Sequence, residues 1–227
     1  MAVILQYAAP YRPWNKGKLV GQKPPLKPRE VWAIRVRLQI ANKKRDLALF
    51  NLSLDSKLRG CDLLSLKVSD VRTGGDVRSR TKIIQKKTGN PVQFEIMDQS
   101  RDAIRDWCEF KGLEQYDWLF PSRKDRKHHL STRQYARLVD DWVQSIGLRC
   151  SAYGTHSMRR TKATLIYRKT GNLRAVQLLL GHTKIDSTVR YLGVEVEDAL
   201  ELAESIELYS RARPFVAAKQ TFRLRPF

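Results

Sequence analysis

Apolar residues recur along most of this chain at the spacing of a helix. Val31, Ile34 and Leu38 return at three- and four-residue steps and predict a helix over residues 29–41 with one buried face. The same period predicts further helices over 46–58, 63–66, 99–111, 131–146, 156–169 and 173–180. Glycines at positions 171, 181 and 193 stand where such helices end.

One segment has a strand pattern instead. Two β-prone runs between Thr81 and Ile96 flank the turn sequence Lys87-Thr-Gly-Asn90, which is typical of a hairpin. The pattern therefore predicts an α+β fold that is mainly α-helical, with a small antiparallel β-sheet. Beyond these elements, an acidic amphipathic helix is predicted over 195–207. Its apolar stripe consists of Val196, Ala199, Leu200, Ala203 and Ile206.

Both ends of the chain differ in composition from this helical middle. Residues 1–28 are rich in proline, which opposes regular structure, and they carry the basic residues Arg12, Lys16, Lys18 and Lys23. They are either a solvated tail or an arm that lies along phosphates. Residues 210–227 form a second basic tail. We therefore divide the chain into an arm (1–28), one folded domain (29–209) and a tail (210–227).

The charge of the chain narrows the class of its partner. A net charge of +20 favours a polyanion, with nucleic acid ahead of an anionic membrane surface. No apolar run approaches membrane-spanning length. Cys61, Cys108 and Cys150 lie far apart and form no metal-binding or disulfide pattern, which indicates reduced thiols in a cytoplasmic protein.

Four short segments carry residues that suit chemistry on a phosphodiester. Arg59 precedes Asp62 by three positions near the end of a predicted helix, a spacing that by itself indicates a surface ion pair. Lys87 is placed at the hairpin tip. His156 and Arg159 are three apart and share one helical face. A Leu-Gly-His box that ends at His182 is followed nine residues later by Tyr191, on a predicted helix.

Together these residue types match the needs of phosphoryl transfer. Two guanidiniums bind non-bridging oxygens, a lysine protonates a leaving alkoxide, and histidines donate hydrogen bonds or move protons. A tyrosine has an ordinary pKa of about 10, so it attacks phosphorus only with help from cations or a base.

In this order and spacing the segments resemble the tyrosine recombinases, or phage-integrase-type recombinases, over residues 28–207. The resemblance implies that Arg59 and Arg159 bind the scissile phosphate and that Lys87 is the general acid, with Lys86 as its rival. It implies further that His156 assists proton transfer, that His182 hydrogen-bonds the phosphate, and that Tyr191 forms a 3′-phosphotyrosyl link without metal, ATP or another cofactor. The expected contacts to double-stranded DNA are Arg12, Lys16, Lys18, Lys23, Lys86 and Arg160.

The resemblance also implies a mode of assembly. Recombinases of this kind act as four protomers on paired DNA sites, so we expect a monomer in free solution, a tetramer on DNA, and accessory DNA-binding proteins. The acidic helix over 195–207 docks either on its own domain or on a neighbour. Family members usually carry a separate core-binding domain, whereas here only the arm precedes residue 29, as in small one-domain integrases and invertases. A prokaryotic, nucleoid-associated location is expected.

Two other functions fit parts of the pattern. A type IB topoisomerase uses the same chemistry, although the compact order of the segments favours a recombinase. A DNA-binding regulator that retains the fold is the non-enzymatic alternative, and the filling of all six catalytic positions argues against it. His128 and His129 are expected to be surface residues, whereas Trp32, Trp107 and Trp142 are expected in the core.

Overall fold

Helices dominate the part of the chain that the computed structural model describes, which is residues 22–125, 127–192 and 204. In chain order they are α1 (Pro28–Ile40), α2 (Lys44–Ser56), α3 (Gly60–Leu64), α4 (Val68–Val71), α5 (Asp98–Lys111), α6 (Thr132–Ser145), α7 (Thr155–Thr170), α8 (Leu173–Leu180) and α9 (Ile185–Leu192). The long helices predicted between residues 29 and 180 are thereby confirmed. α4 is an additional short helix that follows the predicted third one.

Two antiparallel strand pairs accompany these helices. β3 (Arg80–Ile84) pairs with β4 (Pro91–Glu95) in the predicted hairpin, and the register places Lys82 opposite Gln93. β1 (Arg72–Thr73) and β2 (Asp76–Val77) form a second, unpredicted pair around two glycines of positive φ. Strands of two residues are too short to show an alternating pattern in the sequence. The α+β, mainly helical class is confirmed.

Helix α2 forms the centre of the hydrophobic core. Every residue from Ala48 to Ser56 is buried, and the helix packs against α1, α5 and α7. The ring of Phe50 meets the edge of the Trp142 ring at a centroid distance of 5.4 Å. Because α2 is buried on all sides over 48–56, it fixes its neighbours relative to each other. It thereby sets the position of α7, which carries the predicted site residues His156, Arg159 and Arg160.

The three tryptophans assigned to the core do not share one environment. Trp107 and Trp142 are buried as expected, but Trp32 is 66% exposed. The prediction for Trp32 was wrong because α1 buries the face that carries Ile34 and Leu38. A residue two positions from Ile34 points away from that face, since successive helical residues are separated by about 100°.

The junction between α2 and α3 corrects the predicted position of Arg59. α2 ends at Ser56 because Lys57 adopts a left-handed conformation with φ of 54°, and Arg59 is the N-terminal cap residue of α3 rather than part of the preceding helix. The buried Lys57 ammonium donates to Glu95 at 2.8 Å. Lys162 on α7 contacts the same carboxylate at 2.8 Å. This ion-pair group joins the junction to β4 and α7.

The residues just before α1 lie against α7. Leu26 is buried, and its backbone N–H donates to the hydroxyl of Thr161 at 2.9 Å. Arg12, Lys16 and Lys18 fall outside the described residues, as do the basic tail and, except for Glu204, the acidic helix predicted over 195–207. Among the helices described, none combines the length and the apolar character that a membrane crossing requires.

Candidate active site

The six residues predicted to act on a phosphate come from five places in the chain and converge on one region. Arg59 caps α3, and Lys87 lies between β3 and β4. His156 and Arg159 are one turn apart on α7. His182 directly follows the glycine that ends α8, and Tyr191 is on the last turn of α9.

One backbone carbonyl and one side-chain amide oxygen accept hydrogen bonds from the two arginines and hold them in place. Arg159 is 3% exposed, and its Nη2 donates to the carbonyl of Leu180 at 2.8 Å. Arg59 Nη1 donates to the side-chain oxygen of Gln85 at 2.7 Å. The Gln85 amide nitrogen in turn donates to the same Leu180 carbonyl at 3.2 Å. The two guanidiniums are therefore linked to each other through neutral groups.

The ring of Tyr191 lies among cationic and aromatic neighbours. The guanidinium carbons of Arg159 and Arg160 lie 5.6 Å and 5.5 Å from the ring centroid. The His182 ring meets it edge-on at 5.4 Å. The Tyr191 hydroxyl is buried and has no hydrogen-bond partner among the described residues. A buried, unsatisfied hydroxyl is costly, which indicates a group kept for a ligand or a reaction.

Burial and charge act in opposite directions on the Tyr191 phenol. Desolvation raises its pKa to about 12, although the positive charges of Arg159, Arg160 and Arg59 lower it. The phenol is thus neutral at physiological pH and must lose its proton as it reacts. A negative phosphate seated on the arginines would remove part of their help, so a proton acceptor is needed.

Both histidines of the site are held in the neutral form. Desolvation, with added repulsion from Arg159 and Arg59, lowers the pKa of His182 to about 4. Desolvation and the charge of Arg159 also lower the pKa of His156. The Nδ1 atom of His182 lies 3.0 Å from the Thr188 hydroxyl, which fixes the ring orientation. A neutral imidazole can accept a proton, as the expected role of His156 requires.

The hairpin distinguishes between the two candidate lysines. Both Lys86 and Lys87 are exposed, but the Lys86 backbone N–H donates to Asp62 at 2.9 Å, which anchors the turn to α3. The charge of Lys87 reaches His156 and contributes to the lowering of its pKa. This effect on His156 favours Lys87 over Lys86, and the role of Lys87 as general acid remains a prediction.

Comparison with known proteins assigns a family to this arrangement. Residues 26–197 match the phage integrase family. The chain belongs to that family. Its relatives include the probable integrase/recombinase YoeC of Bacillus subtilis, 28% identical over 75% of this chain and 90% of that protein. Another is the tyrosine recombinase XerD of Rhizobium meliloti, 32% identical over 72% of this chain and 51% of that protein.

Solved structures show the same fold. The XerA recombinase superposes with a TM-score of 0.68 at 21% identity, over 83% of this chain and 68% of that one. A XerH recombinase bound to its difH substrate superposes with a TM-score of 0.64 at 23% identity, over 81% of this chain and 53% of that one. The fold is that of a tyrosine recombinase catalytic domain, and the chain spans about half the length of several of the recombinases it matches.

Two residues predicted to contact DNA have other contacts in this recombinase domain. Arg160 is 6% exposed, and its Nη1 donates to the Lys23 carbonyl at 2.9 Å. The Lys23 ammonium donates to the carbonyl of Ser151. Direct contacts of these side chains with DNA, like those of Lys86, remain predictions. Sequence reasoning did not identify Gln85, because a glutamine before a basic turn has no distinctive pattern.

The remaining histidines lie apart from the recombinase site. His128 is exposed, as expected, and its ring nitrogen lies 2.8 Å from Asp125. His129 is half-buried and meets the ring of Trp118 edge-on. Within the described ranges, no three His, Cys, Asp or Glu side chains are grouped so that they could hold a metal ion.

The depressed pKa of His182 predicts a pH dependence of stability. Protonation is easier in the unfolded chain, whose histidine pKa is about 6.5, than in the folded one. The free energy of unfolding should therefore fall as the pH drops from about 6.5 to about 4. In urea titrations at several pH values, His182→Asn should flatten part of this decline, whereas Gln144→Asn, a change between amides at an exposed position on α6, should leave it unchanged. Equal slopes for His182→Asn and the wild-type chain would contradict the assignment.

Gly181 allows the hairpin to approach the end of α8. Its φ is +65°, and a Cβ atom there would lie 2.4 Å from the Val92 side chain and about 3 Å from Gln85. Glycine is therefore favoured at position 181 for two reasons, the left-handed backbone conformation and the close approach of Val92 and Gln85. This contact brings the hairpin within reach of the Leu180 carbonyl that binds Arg159.

Replacement of Gly181 by alanine should be more destabilising than the same change at Gly171. Both glycines have φ near +64°, so both variants have a left-handed strain of about 1–2 kcal/mol, but nothing lies within 4 Å of a Cβ at Gly171. Only Gly181→Ala must also displace Val92. Urea unfolding of the two variants measures the difference. Equal losses of unfolding free energy would show that the hairpin can move away freely.

Proposed function

We propose that this protein cuts and rejoins double-stranded DNA at specific sites through a transient 3′-phosphotyrosyl bond at Tyr191. The proposal rests mainly on the surroundings of Tyr191. Its ring stacks against the guanidiniums of Arg159 and Arg160. Its hydroxyl is buried and has no hydrogen-bond partner among the described residues. A phosphate held by Arg59 and Arg159 would lie beside this hydroxyl.

The chemical step follows from the roles of these groups. The Tyr191 oxygen bonds to phosphorus while the bond from phosphorus to the 5′-oxygen breaks. His156 takes the phenol proton, and Lys87 gives a proton to the departing 5′-oxygen. Arg59, Arg159 and His182 hydrogen-bond the non-bridging oxygens, where charge develops in the transition state. One phosphoester bond replaces another, so the reverse attack by a 5′-hydroxyl rejoins the strand without ATP.

No metal ion takes part in the proposed step. Two guanidiniums and an ammonium supply the positive charge that a metal would otherwise bring to the phosphate. The proposed reaction thus needs no cofactor. Its products depend on whether paired sites lie on one DNA molecule or on two, which decides between integration, excision and inversion.

The relatives support the choice of DNA as the partner. They are recombinases by name, and the XerH structure is a complex with a DNA substrate. The net charge of +20 is suited to a polyanion. We further propose a monomer in free solution that assembles as a tetramer on paired sites, with accessory DNA-binding proteins, at the nucleoid of a prokaryotic cell.

Capture of the covalent intermediate tests the proposal and requires no assumption about the target sequence. A library of duplexes with a randomised centre and a single nick is incubated with the protein in EDTA, without nucleotide. The nick lets the short cleaved fragment diffuse away and traps the adduct. Adducts retained under denaturing conditions are then sequenced.

The expected result is an enriched sequence joined to the peptide that contains Tyr191. A phosphotyrosyl bond at another tyrosine would contradict the assignment of the nucleophile. Adducts that require added magnesium or zinc would contradict the metal-free step. Specific DNA binding without any adduct would favour the regulator instead.

The arm should contribute to the salt dependence of DNA binding. Changing Arg12, Lys16 and Lys18 to glutamine removes three charges while leaving Lys23 and Leu26, which contact α7, in place. Each lost phosphate contact reduces the slope of log K against log salt by about 0.9. Binding isotherms at several salt concentrations measure this slope for the wild-type chain and for the variant. An unchanged slope would show that the arm is a solvated tail.

A further inference from the structure

We infer that Gln85 is a positioning residue that sets the geometry of the two phosphate-binding arginines. The inference rests on the proposed function, because it concerns the same step. Gln85 directly follows β3 and is 1% exposed. Its backbone closes the hairpin turn, since its N–H donates to Asn90 at 2.9 Å and its carbonyl accepts from Gly89 at 2.8 Å. The backbone is thereby fixed before the side chain makes any contact.

The side chain of Gln85 joins three parts of the site. Its oxygen accepts from Arg59 at 2.7 Å and from the Thr88 hydroxyl at 2.8 Å. Its nitrogen donates to the Leu180 carbonyl at 3.2 Å, and that carbonyl also accepts from Arg159 at 2.8 Å. A single amide therefore positions Arg59 relative to Arg159 and ties both to the hairpin that carries Lys87.

The neutrality of the amide matters as much as its shape. A carboxylate at this position would pair with Arg59 and reduce the positive charge offered to the phosphate, and it would also face the Leu180 carbonyl without a proton to donate. An apolar side chain would leave Arg59 free to change rotamer. Glutamine holds the guanidinium in place and leaves its charge for the substrate.

The inference predicts a defect in cleavage rather than in binding. Gln85→Met retains the side-chain volume and removes all three side-chain hydrogen bonds. With a nicked duplex carrying the captured sequence, the single-turnover rate of adduct formation should fall about 100-fold, since displacement of a catalytic group by about 1 Å costs this much. The dissociation constant for DNA should change less than threefold. Gln93→Met, at an exposed position on β4 of the same hairpin, is the matched control and should cleave normally.

Two substrates with an altered scissile phosphate distinguish a defect in the phosphate-binding arginines from a defect in protonation by Lys87. A methylphosphonate at the scissile position carries no negative charge and needs less help from guanidiniums, so the deficit of Gln85→Met should shrink on it. A 5′-bridging sulfur leaves without protonation, so the deficit should persist there, whereas that of Lys87→Ala should shrink. A general loss of structure would lower the rate equally on all three substrates.

A second variant covers the case in which Gln85→Met fails to fold. Gln85→Glu keeps the volume and the bond to Arg59, and its deficit should also shrink on the methylphosphonate. An unimpaired rate for Gln85→Met, or a deficit that follows the Lys87→Ala pattern, would overturn the inference. Failure of the wild-type chain to form any adduct would instead contradict the proposed function.

Discussion

Replacement of Tyr191 by phenylalanine is expected to abolish covalent attachment to DNA while leaving the fold intact. The proposed reaction has no other nucleophile, so adduct formation should fall below detection. The lost hydroxyl is buried without a hydrogen-bond partner among the described residues, so its removal breaks no contact there. We therefore expect the melting temperature to stay the same or to rise, since an unsatisfied buried group costs about 1–3 kcal/mol.

The measurement combines denaturing electrophoresis of labelled DNA with thermal unfolding of the same preparation. Tyr167→Phe is the matched control, because Tyr167 lies on α7 and has no Leu-Gly-His box before it. It should form adducts at the wild-type rate. Residual adduct in Tyr191→Phe would transfer the nucleophile to another residue. A large fall in melting temperature would mean that the hydroxyl has a structural partner.

Replacement of Arg159 by lysine is expected to lower the cleavage rate by about 10²–10³-fold, the loss typical of one preorganised donor to a transition-state oxyanion. The charge is retained, but the planar fork is lost. The Arg159 guanidinium uses one nitrogen to reach the Leu180 carbonyl while it lies beside the Tyr191 ring. An ammonium is a point charge that cannot hold both positions at once.

Single-turnover kinetics and binding isotherms on the captured sequence measure this effect. DNA affinity should change only a few-fold, because one phosphate contact is a small part of the total electrostatic attraction. Arg168→Lys, at an exposed position near the end of the same helix, should leave the rate unchanged. Equal losses of affinity and of rate in Arg159→Lys would assign Arg159 to ground-state binding instead of the transition state.

Periodicity was a reliable guide where one face of an element is buried. The long helices, the β3–β4 hairpin and the helix that carries Tyr191 all follow from the spacing of apolar residues and from turn chemistry. Periodicity was insufficient where contacts between residues distant in the sequence determine where an element ends. α2 stops at a left-handed lysine whose buried ammonium pairs with the half-buried Glu95 carboxylate, and nothing in the neighbouring sequence indicates that pairing.

The candidate site was predictable to the extent that its residues form ordered motifs. The motifs placed Arg59, Lys87, His156, Arg159, His182 and Tyr191 on the elements where the structure has them, apart from the cap position of Arg59. Gln85 was missed because its role depends on a carbonyl 95 positions later in the chain. A contact of that range becomes visible only when the hairpin is seen packed against α8.

The neutral acceptors around the arginines have a consequence for how this domain behaves without DNA. The guanidinium hydrogen bonds of Arg59, Arg159 and Arg160 end on an amide oxygen and on backbone carbonyls, which carry no charge. The charge of Arg59 opposes that of Arg159, and the buried Asp62 carboxylate offsets part of this repulsion. An oxyanion bound between these guanidiniums would reduce the repulsion between them. By mass action, any phosphate-bearing ligand that occupies it shifts the folding equilibrium towards the native state. We therefore expect inorganic phosphate or a short duplex to raise the melting temperature of this domain.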